Sequence, residues 1–599
     1  MRTKTSRLLL KSASVVTSRA ASSCPLLSRS RLQALTRRKP KIWSQLQTKS
    51  VPIQTPFGAT STSASLSRFV NGKVKIQPTN NISDKHAIRN GKLSRQIFGE
   101  GKVIPAERAV ELLETVIQPG DRIIHEGDNQ KQGDFLAGQL ARMNPKKVNG
   151  LKLCVSSVGL PEHLDLFENG LATELDFAYA APQAARLARM VMDGSVKIGD
   201  VHTYVELYSR YFAELRPDVV CLVANEADKE GNLYTGPNTE ETPPLVESAA
   251  FGGAIVIVQV NKLVDKVRRV DIPAEWVDFV VESPKPFHLE PLFTRDPALI
   301  NDLRILMAMV AVKAIYAKYH PKVLNHGIGF NTAAIELLLP TYGAELGLKG
   351  KACTHWALNP HPTMIPAIES GFVEAISCFG GEVGMENYVA SRPDVFALGR
   401  DGSLRSNRFF AQMVGHHADM FIGATLQIDS QAHSSTFTAD RLVGYGGAPN
   451  LGSENRSRRH RSEAFLKAGV EAHAGEPMPQ GRKLVVQIVE TFQAAGKPTF
   501  VERLDAWDAM EKAGFSTPPV MIYGDDVSHI VTEEGVANLL LCRSPEEREQ
   551  AVRGVAGFTP VGLKRNRRMV ENLRDRGAIQ RAEDIGIQKS DVSRDRLAA

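Results

Sequence analysis

Residues 322–339 read KVLNHGIGFNTAAIELLL. Lys322–Asn325 is a short run of strand type, His326-Gly327-Ile328-Gly329 is a glycine turn, and Asn331–Leu339 has helical spacing until Pro340 closes it. Strand, glycine turn and helix make the βα unit of an α/β sheet. A helix starting after Gly329 offers free N–H groups to an anion, although the same turn serves any βα junction.

Outward from this unit the pattern repeats. Upstream, Pro105–Ile117 reads as a helix, Arg122–His125 as a strand running into the polar string Glu126–Asp134, and Asp134–Met143 as a helix. Strands are expected at Leu151–Ser156, Val219–Ala224 and Ala254–Val260, with a helix at Pro182–Met192. Downstream, strands are expected at Glu374–Cys378, Met420–Ile428 and Val520–Tyr523. Strands that are apolar almost throughout suit parallel sheets covered on both faces. The fold class expected is α/β, with two related domains of largely parallel sheet. Their spans are 85–320 and 321–586, the break falling after the helix Leu303–Tyr319. Residues 1–84 are expected to be a disordered Arg/Ser-rich extension, and 587–599 a tail.

Charge separates the extension from the body. Residues 1–83 hold 15 of the 73 Lys and Arg and none of the 66 Asp and Glu, so the rest of the chain is net -8. A mildly acidic body is not a nucleic-acid-binding profile. An Arg- and Ser-rich leader without acids resembles an organelle transit peptide in composition. A non-functional upstream extension and a nucleic-acid-binding arm are the other readings. The location expected is the mitochondrial matrix for a transit peptide and the cytoplasm for a non-functional extension. No apolar run approaches the ~20 residues of a spanning helix, so no membrane role is expected. The six cysteines are dispersed without ligand spacing and read as buried thiols.

The densest glycine cluster is Gly444–Ser453, GYGGAPNLGS. Glycines so close let backbone N–H groups converge on an oxyanion or a phosphate, and a tight surface turn is the plainer reading. Gly-x-Gly-x-x-Gly and the P-loop lysine are both missing, which disfavours dinucleotides and nucleoside triphosphates. Arg456, Arg458, Arg459 and Arg461 follow directly, either as a clamp for phosphates or an acidic protein, or as a solvated face. The histidines make no metal set: His416 and His417 are adjacent, and His355 and His361 are separated by Asn359-Pro360. The Glu126–Asp134 string follows a strand, where α/β proteins bind ligands.

At these residues the chain resembles a known family. The strings 126–132 (EGDNQKQ), 232–240 (NLYTGPNTE), 325–330 (NHGIGF), 355–362 (HWALNPHP), 444–453 and 523–535 (YGDDVSHIVTEEG) closely resemble the alpha subunit of bacterial malonate decarboxylase. The match runs from about Gly101 to about Gly586. That family is similar to the CoA-transferase superfamily, whose members are built from two related α/β domains.

The resemblance implies an acyl-carrier-protein transferase that exchanges acetyl for malonyl on the carrier's thiol and releases acetate. The partners implied are an acidic carrier protein, the other decarboxylase subunits, malonate and acetate. The thiol belongs to a phosphoribosyl-dephospho-CoA arm on the carrier, so no directly bound cofactor and no metal are expected. Gly446 and Gly447 match the superfamily's oxyanion loop, with Asp429 before it, and these are the catalytic candidates. Substrate-binding candidates are Asn129, Gln130, Lys131, Asn238, Gly327, Gly329 and His355. The four arginines are candidates for carrier docking. The glutamate that many CoA transferases use as nucleophile has no counterpart near His355-Trp356, so no nucleophile is assigned. A stand-alone CoA transferase or acyl-CoA hydrolase for small carboxylic acids, and a non-catalytic docking subunit, are the alternatives.

Overall fold

The computed structural model describes residues 101–598 except 129–130, 181, 237–240, 290–295, 397–407, 455–461, 479 and 494–495. The calls for a disordered extension at 1–84, for Asn129, Gln130 and Asn238, and for the four arginines lie outside the described residues.

Two open sheets carry the described chain. The first contains β1 (Arg122–His125), β2 (Leu151–Ser157), β3 (Ala172–Tyr179), β4 (Val219–Ala227), β5 (Ile255–Leu263) and β6 (Phe279–Glu282). The second contains β7 (Val323–His326), β8 (His355–Ala357), β9 (Ala375–Ser377), β10 (Met420–Gly423), β11 (Leu484–Ile488) and β12 (His529–Thr532). Among these twelve, every pair of neighbouring strands runs parallel; the antiparallel partners are short strands, Leu233–Tyr234 beside β4 and Gly535–Asn538 beside β12. The spatial order is β6-β5-β4-β1-β2-β3 in the first sheet and β12-β11-β10-β7-β8-β9 in the second. The two halves are therefore one topology used twice. Short strands extend the edges, Val103–Ile104 and Lys197–Val201 on the first sheet, Gly535–Asn538 and Ile579–Gln580 on the second.

Strand alternation sends apolar side chains to both faces. In β11, Leu484, Val486 and Ile488 join one core, while Val485, with Val489 just past the strand, joins another. The helices named below are α1 (Asp134–Ala141), α2 (Tyr204–Arg210), α3 (Asp302–Ala311), α4 (Phe330–Leu338), α5 (Arg408–His416) and α6 (Ala448–Leu451). Among the described residues no helix is long and apolar enough to cross a membrane.

Strand order fixes where ligands fit. In each sheet the order reverses at the first strand, between β1 and β4 and between β7 and β10. Loops leaving the carboxyl ends at such a reversal diverge and leave a crevice. The loop after β1 is Glu126–Gly133, and the loop after β7 is Gly327–Gly329.

Several expectations need correction. Val520–Tyr523 is not a sheet strand: Pro518 and Pro519 precede it, and Ile522 makes only an isolated bridge to Ser434. The strands there are β11 and β12. Met420–Ile428 breaks after Gly423, and Gln427–Ile428 pairs in a separate ribbon. Helix α3, assigned to the first domain, buries Ile305, Met307 and Met309 in the core of the second sheet. The expected tail also packs there: Ile587 is buried, and Ala598 N–H donates to Leu337 O at 2.9 Å.

Candidate active site

The second reversal is built from glycine. Gly327 N–H donates to Ile422 O at 2.7 Å, and a Cβ on Gly327 would stand 3.0 Å from the Gly423 Cα. Only a residue without a side chain allows strand and turn so close. Gly329 precedes α4 with extended backbone, and the Thr332 hydroxyl lies 2.5 Å from Gly327 O and 2.8 Å from Gly329 O, tying the turn to the helix.

Beneath the turn is a buried polar set. Glu336 on α4 faces His326 Nδ1 at 3.1 Å, His361 Nε2 at 2.8 Å and the Thr363 hydroxyl at 2.6 Å. Burial pushes the Glu336 carboxyl up, but the two histidines outweigh it and hold it well below the usual carboxylate range. Burial alone would lower the His361 imidazole, and Glu336 raises it above its ordinary value. Adjacent loops at the carboxyl edge of the sheet are thereby locked together.

The glycine cluster lies where the two sheets meet. Val443 O accepts from Ala180 N–H at 2.7 Å, and Ala178 O accepts from the N–H of Tyr445 at 2.7 Å and of Gly446 at 2.8 Å. Gly444 needs its φ of +82°, and any Cβ there would collide with Ala178 O. The loop is thus stitched to the end of β3. The Gly446 N–H is used in that stitching, whereas the Gly447 N–H has no partner among the described residues. Gln412 of α5 lies against the Gly447 Cα so closely that a Cβ would overlap its carboxamide. Gln412 is 2% exposed, and its Oε1 is buried without a partner among the described residues. Sequence reasoning missed Gln412, because a glutamine inside a helix belongs to no spacing pattern. The absent Cβ at Gly447 was the one signal that something packs there.

Asp429 shapes a neighbouring turn. Its Oδ1 accepts from the N–H groups of Gln431 and His433, both at 2.9 Å, and burial raises its carboxyl above the ordinary range. Among the described residues it makes no hydrogen bond to Gly446 or Gly447.

At the first reversal, Lys131 is wholly buried. Its Nζ lies 2.7 Å from Glu126 Oε1 and 2.6 Å from Thr242 Oγ1, and Glu126 Oε2 accepts from Val223 N–H at 2.6 Å. Gly127 N–H donates to Glu241 Oε1 at 3.1 Å. The ammonium is therefore an internal brace of the loop, whereas the resemblance implied a substrate-binding residue at Lys131. His355 is also relocated. It begins β8, is paired with Val323 and is exposed, so it stands at the amino edge of the sheet. About 13 Å of strand separates that edge from Gly327. Asn359 and His361, later in the same motif, reach the carboxyl edge instead. Among the described residues no group of three His, Cys, Asp or Glu is placed to hold a metal.

A family model described as malonate decarboxylase, alpha subunit, transporter matches residues 81–599. The acetyl-S-ACP:malonate ACP transferase of Malonomonas rubra is 56% identical over 512 residues, 84% of this chain and 92% of the relative. The chain is also similar to the crystal structure of a Pseudomonas malonate decarboxylase hetero-tetramer in complex with malonate. There the identity is 55% and the TM-score 0.82, over 86% of this chain and 95% of that one. A citrate lyase alpha-subunit structure from Streptococcus mutans is 15% identical with a TM-score of 0.55, over 82% of this chain and 84% of that one, and shares the fold alone. With the paired α/β sheets and the glycine loop between them, these matches establish that the chain belongs to the malonate decarboxylase alpha-subunit family.

Proposed function

We propose that the chain transfers a carrier-protein thiol from acetyl to malonate, giving malonyl-S-carrier and acetate as the transferase step of malonate decarboxylation. The observation that carries this reading is the unpartnered Gly447 N–H beside the Gln412 carboxamide, at the junction of the two sheets. A malonate oxygen attacks the acetyl thioester carbonyl, the tetrahedral oxyanion collapses, and the thiolate leaves a mixed anhydride. The thiolate then attacks the malonyl carbonyl and acetate departs. Both tetrahedral intermediates need neutral donors aimed at an oxyanion, which Gly447 supplies from the backbone. Gly446 holds the loop against β3, and Asp429 shapes the turn leading to it. The remaining advantage is the positioning of two bound reactants.

Malonate is held near the two reversals by Asn129, Gln130 and Asn238 on the first half and by the Gly327–Gly329 turn on the second. Lys131 acts through the loop it braces. The carrier docks by its phosphate-bearing arm against Arg456, Arg458, Arg459 and Arg461, and the other decarboxylase subunits complete the assembly. The test is to incubate the purified chain with acetylated carrier and labelled malonate, and separately with acetyl-CoA. Label on the carrier supports the transfer, whereas label only on CoA overturns it in favour of a stand-alone CoA transferase.

A further inference from the structure

Gln487 lies in β11 and is wholly buried, yet among the described residues neither its Oε1 nor its Nε2 has a hydrogen-bond partner. A buried amide with both ends unmet is rare in a folded protein and calls for something that meets it. Register places it one strand beyond the second reversal: Gln487 pairs with Gly423, and Gly327 lies beside Gly423 on the other side. Gln487 therefore follows two glycines in succession in a row that continues to Ile530. At the two glycines the row has no side chains of its own, and the Phe421 ring leans over Gly423, with Cζ 2.7 Å from where a Gly423 Cβ would be. The same ring also reaches Gly452 in the glycine cluster, its Cδ1 3.1 Å from where a Gly452 Cβ would be.

Other unmet atoms occur on this face. Asn325 Nδ2 donates to Ala357 O at 2.5 Å, while its Oδ1 is buried without a partner. Gln412 Oε1, above the sheet on α5, is unmet as well. Three acceptors and one donor are thus left open, and all belong to uncharged carboxamides. Lys483, the cation earlier on the same face of β11, is held by the Gly415 and His416 carbonyls at 3.0 Å each. Malonate, acetate and phosphate bring acceptors only and would leave the three oxygens unmet. A secondary amide brings one N–H and one C=O, enough to meet both ends of Gln487, which no anion can do.

We infer that Gln487 recognises the amide of the thioester arm, the group joined to the sulfur by a short methylene link, and so selects amide-bearing thiols over plain alkyl thiols. This rests on the transfer reading above. No bond is made or broken at Gln487; it positions the thioester so that the carbonyl reaches Gly447.

The test compares acetyl-pantetheine with acetyl-propanethiol as acyl donors to labelled malonate, using the full chain and its Gln487→Met variant. The parent should favour acetyl-pantetheine in kcat/KM by about 10- to 100-fold, the worth of one or two buried hydrogen bonds. Gln487→Met should bring the ratio of the two donors close to unity. A parent that uses both donors equally overturns the inference without recourse to the variant. A ratio retained in Gln487→Met also overturns it and leaves Gln487 meeting buried water only. Failure to move malonate onto the carrier or either thiol overturns the transfer reading and this inference together.

Discussion

His361 Nε2 lies 2.8 Å from Glu336 Oε2 while its Nδ1 lies 2.7 Å from Asn359 O. A carbonyl and a carboxylate can only accept, so both ring nitrogens carry protons and the pair is a buried imidazolium–carboxylate. It joins the loop after β8 to the helix after β7, beneath the Gly327 turn.

That pairing predicts a pH dependence of stability. A histidine raised above its unfolded value of ~6.5 stabilises fully below that pH, and the contribution fades as pH rises through the folded value. A glutamate held below its unfolded value of ~4.3 stabilises fully above that pH, and fades as pH falls through the folded value. Both contributions are complete between about pH 4.5 and 6.5. Glu336→Gln should lower stability by about 3–5 kcal/mol, since it leaves a buried cation unpaired or forces it neutral. Melting curves of parent and variant between about pH 6 and 9 should converge as pH rises. Parallel curves would contradict the ion pair.

His355→Ala should leave malonate kinetics within about twofold of the parent, as expected for an exposed side chain away from the crevice. Steady-state assays with acetylated carrier check this. A large rise in the malonate KM would return His355 to the substrate.

The unit at 322–339 was legible because a glycine turn separates a strand from a helix without ambiguity, and the structure keeps that order in β7, Gly327–Gly329 and α4. The loops at both reversals were legible for the same reason. Strand β11, LVVQI, was not, since it directly follows a polar stretch and carries Gln487 within the apolar run. Helix α3 has an apolar face that either sheet can bury, so its sequence does not say which domain it joins. The brace at Lys131 was not legible, because its counter-ion Glu126 is five residues back, across a turn, and its other partner Thr242 is far along the chain. Gln412 became visible only when α5 was packed against Gly447.

Lys131→Met should act on stability before it acts on malonate. Removing one partner of a buried pair leaves Glu126 charged and unmatched, at about 3–5 kcal/mol. Lys131→Met combined with Glu126→Gln should recover much of that loss, because neither charge then remains. Thermal melts of the two single variants and the double variant give the coupling. Additive losses would show that the two side chains do not depend on each other.

Alanine substitution distinguishes the two glycines of the loop. Gly446 has a φ of +59° and an N–H already bonded to Ala178 O, so Gly446→Ala loads strain onto the stitching of the loop to β3. Its effect should be a loss of stability of about 1 kcal/mol with turnover reduced in step. Gly447 has an ordinary negative φ, so alanine there meets no backbone penalty. Its methyl instead displaces the Gln412 carboxamide and intrudes beside the unpartnered N–H. Gly447→Ala should therefore fold, melt near the parent temperature and lose about 10²–10³ in kcat, as for one oxyanion donor. Gln412→Ala makes room for that methyl, so adding it to Gly447→Ala should cost less than Gln412→Ala costs alone. Single-turnover rates with acetylated carrier isolate the acyl transfer from carrier binding. If Gly447→Ala turns over normally, the loop is only a structural turn between the sheets. If it fails while Gly446→Ala also fails equally at unchanged stability, the donor is shared by the pair and not the property of Gly447.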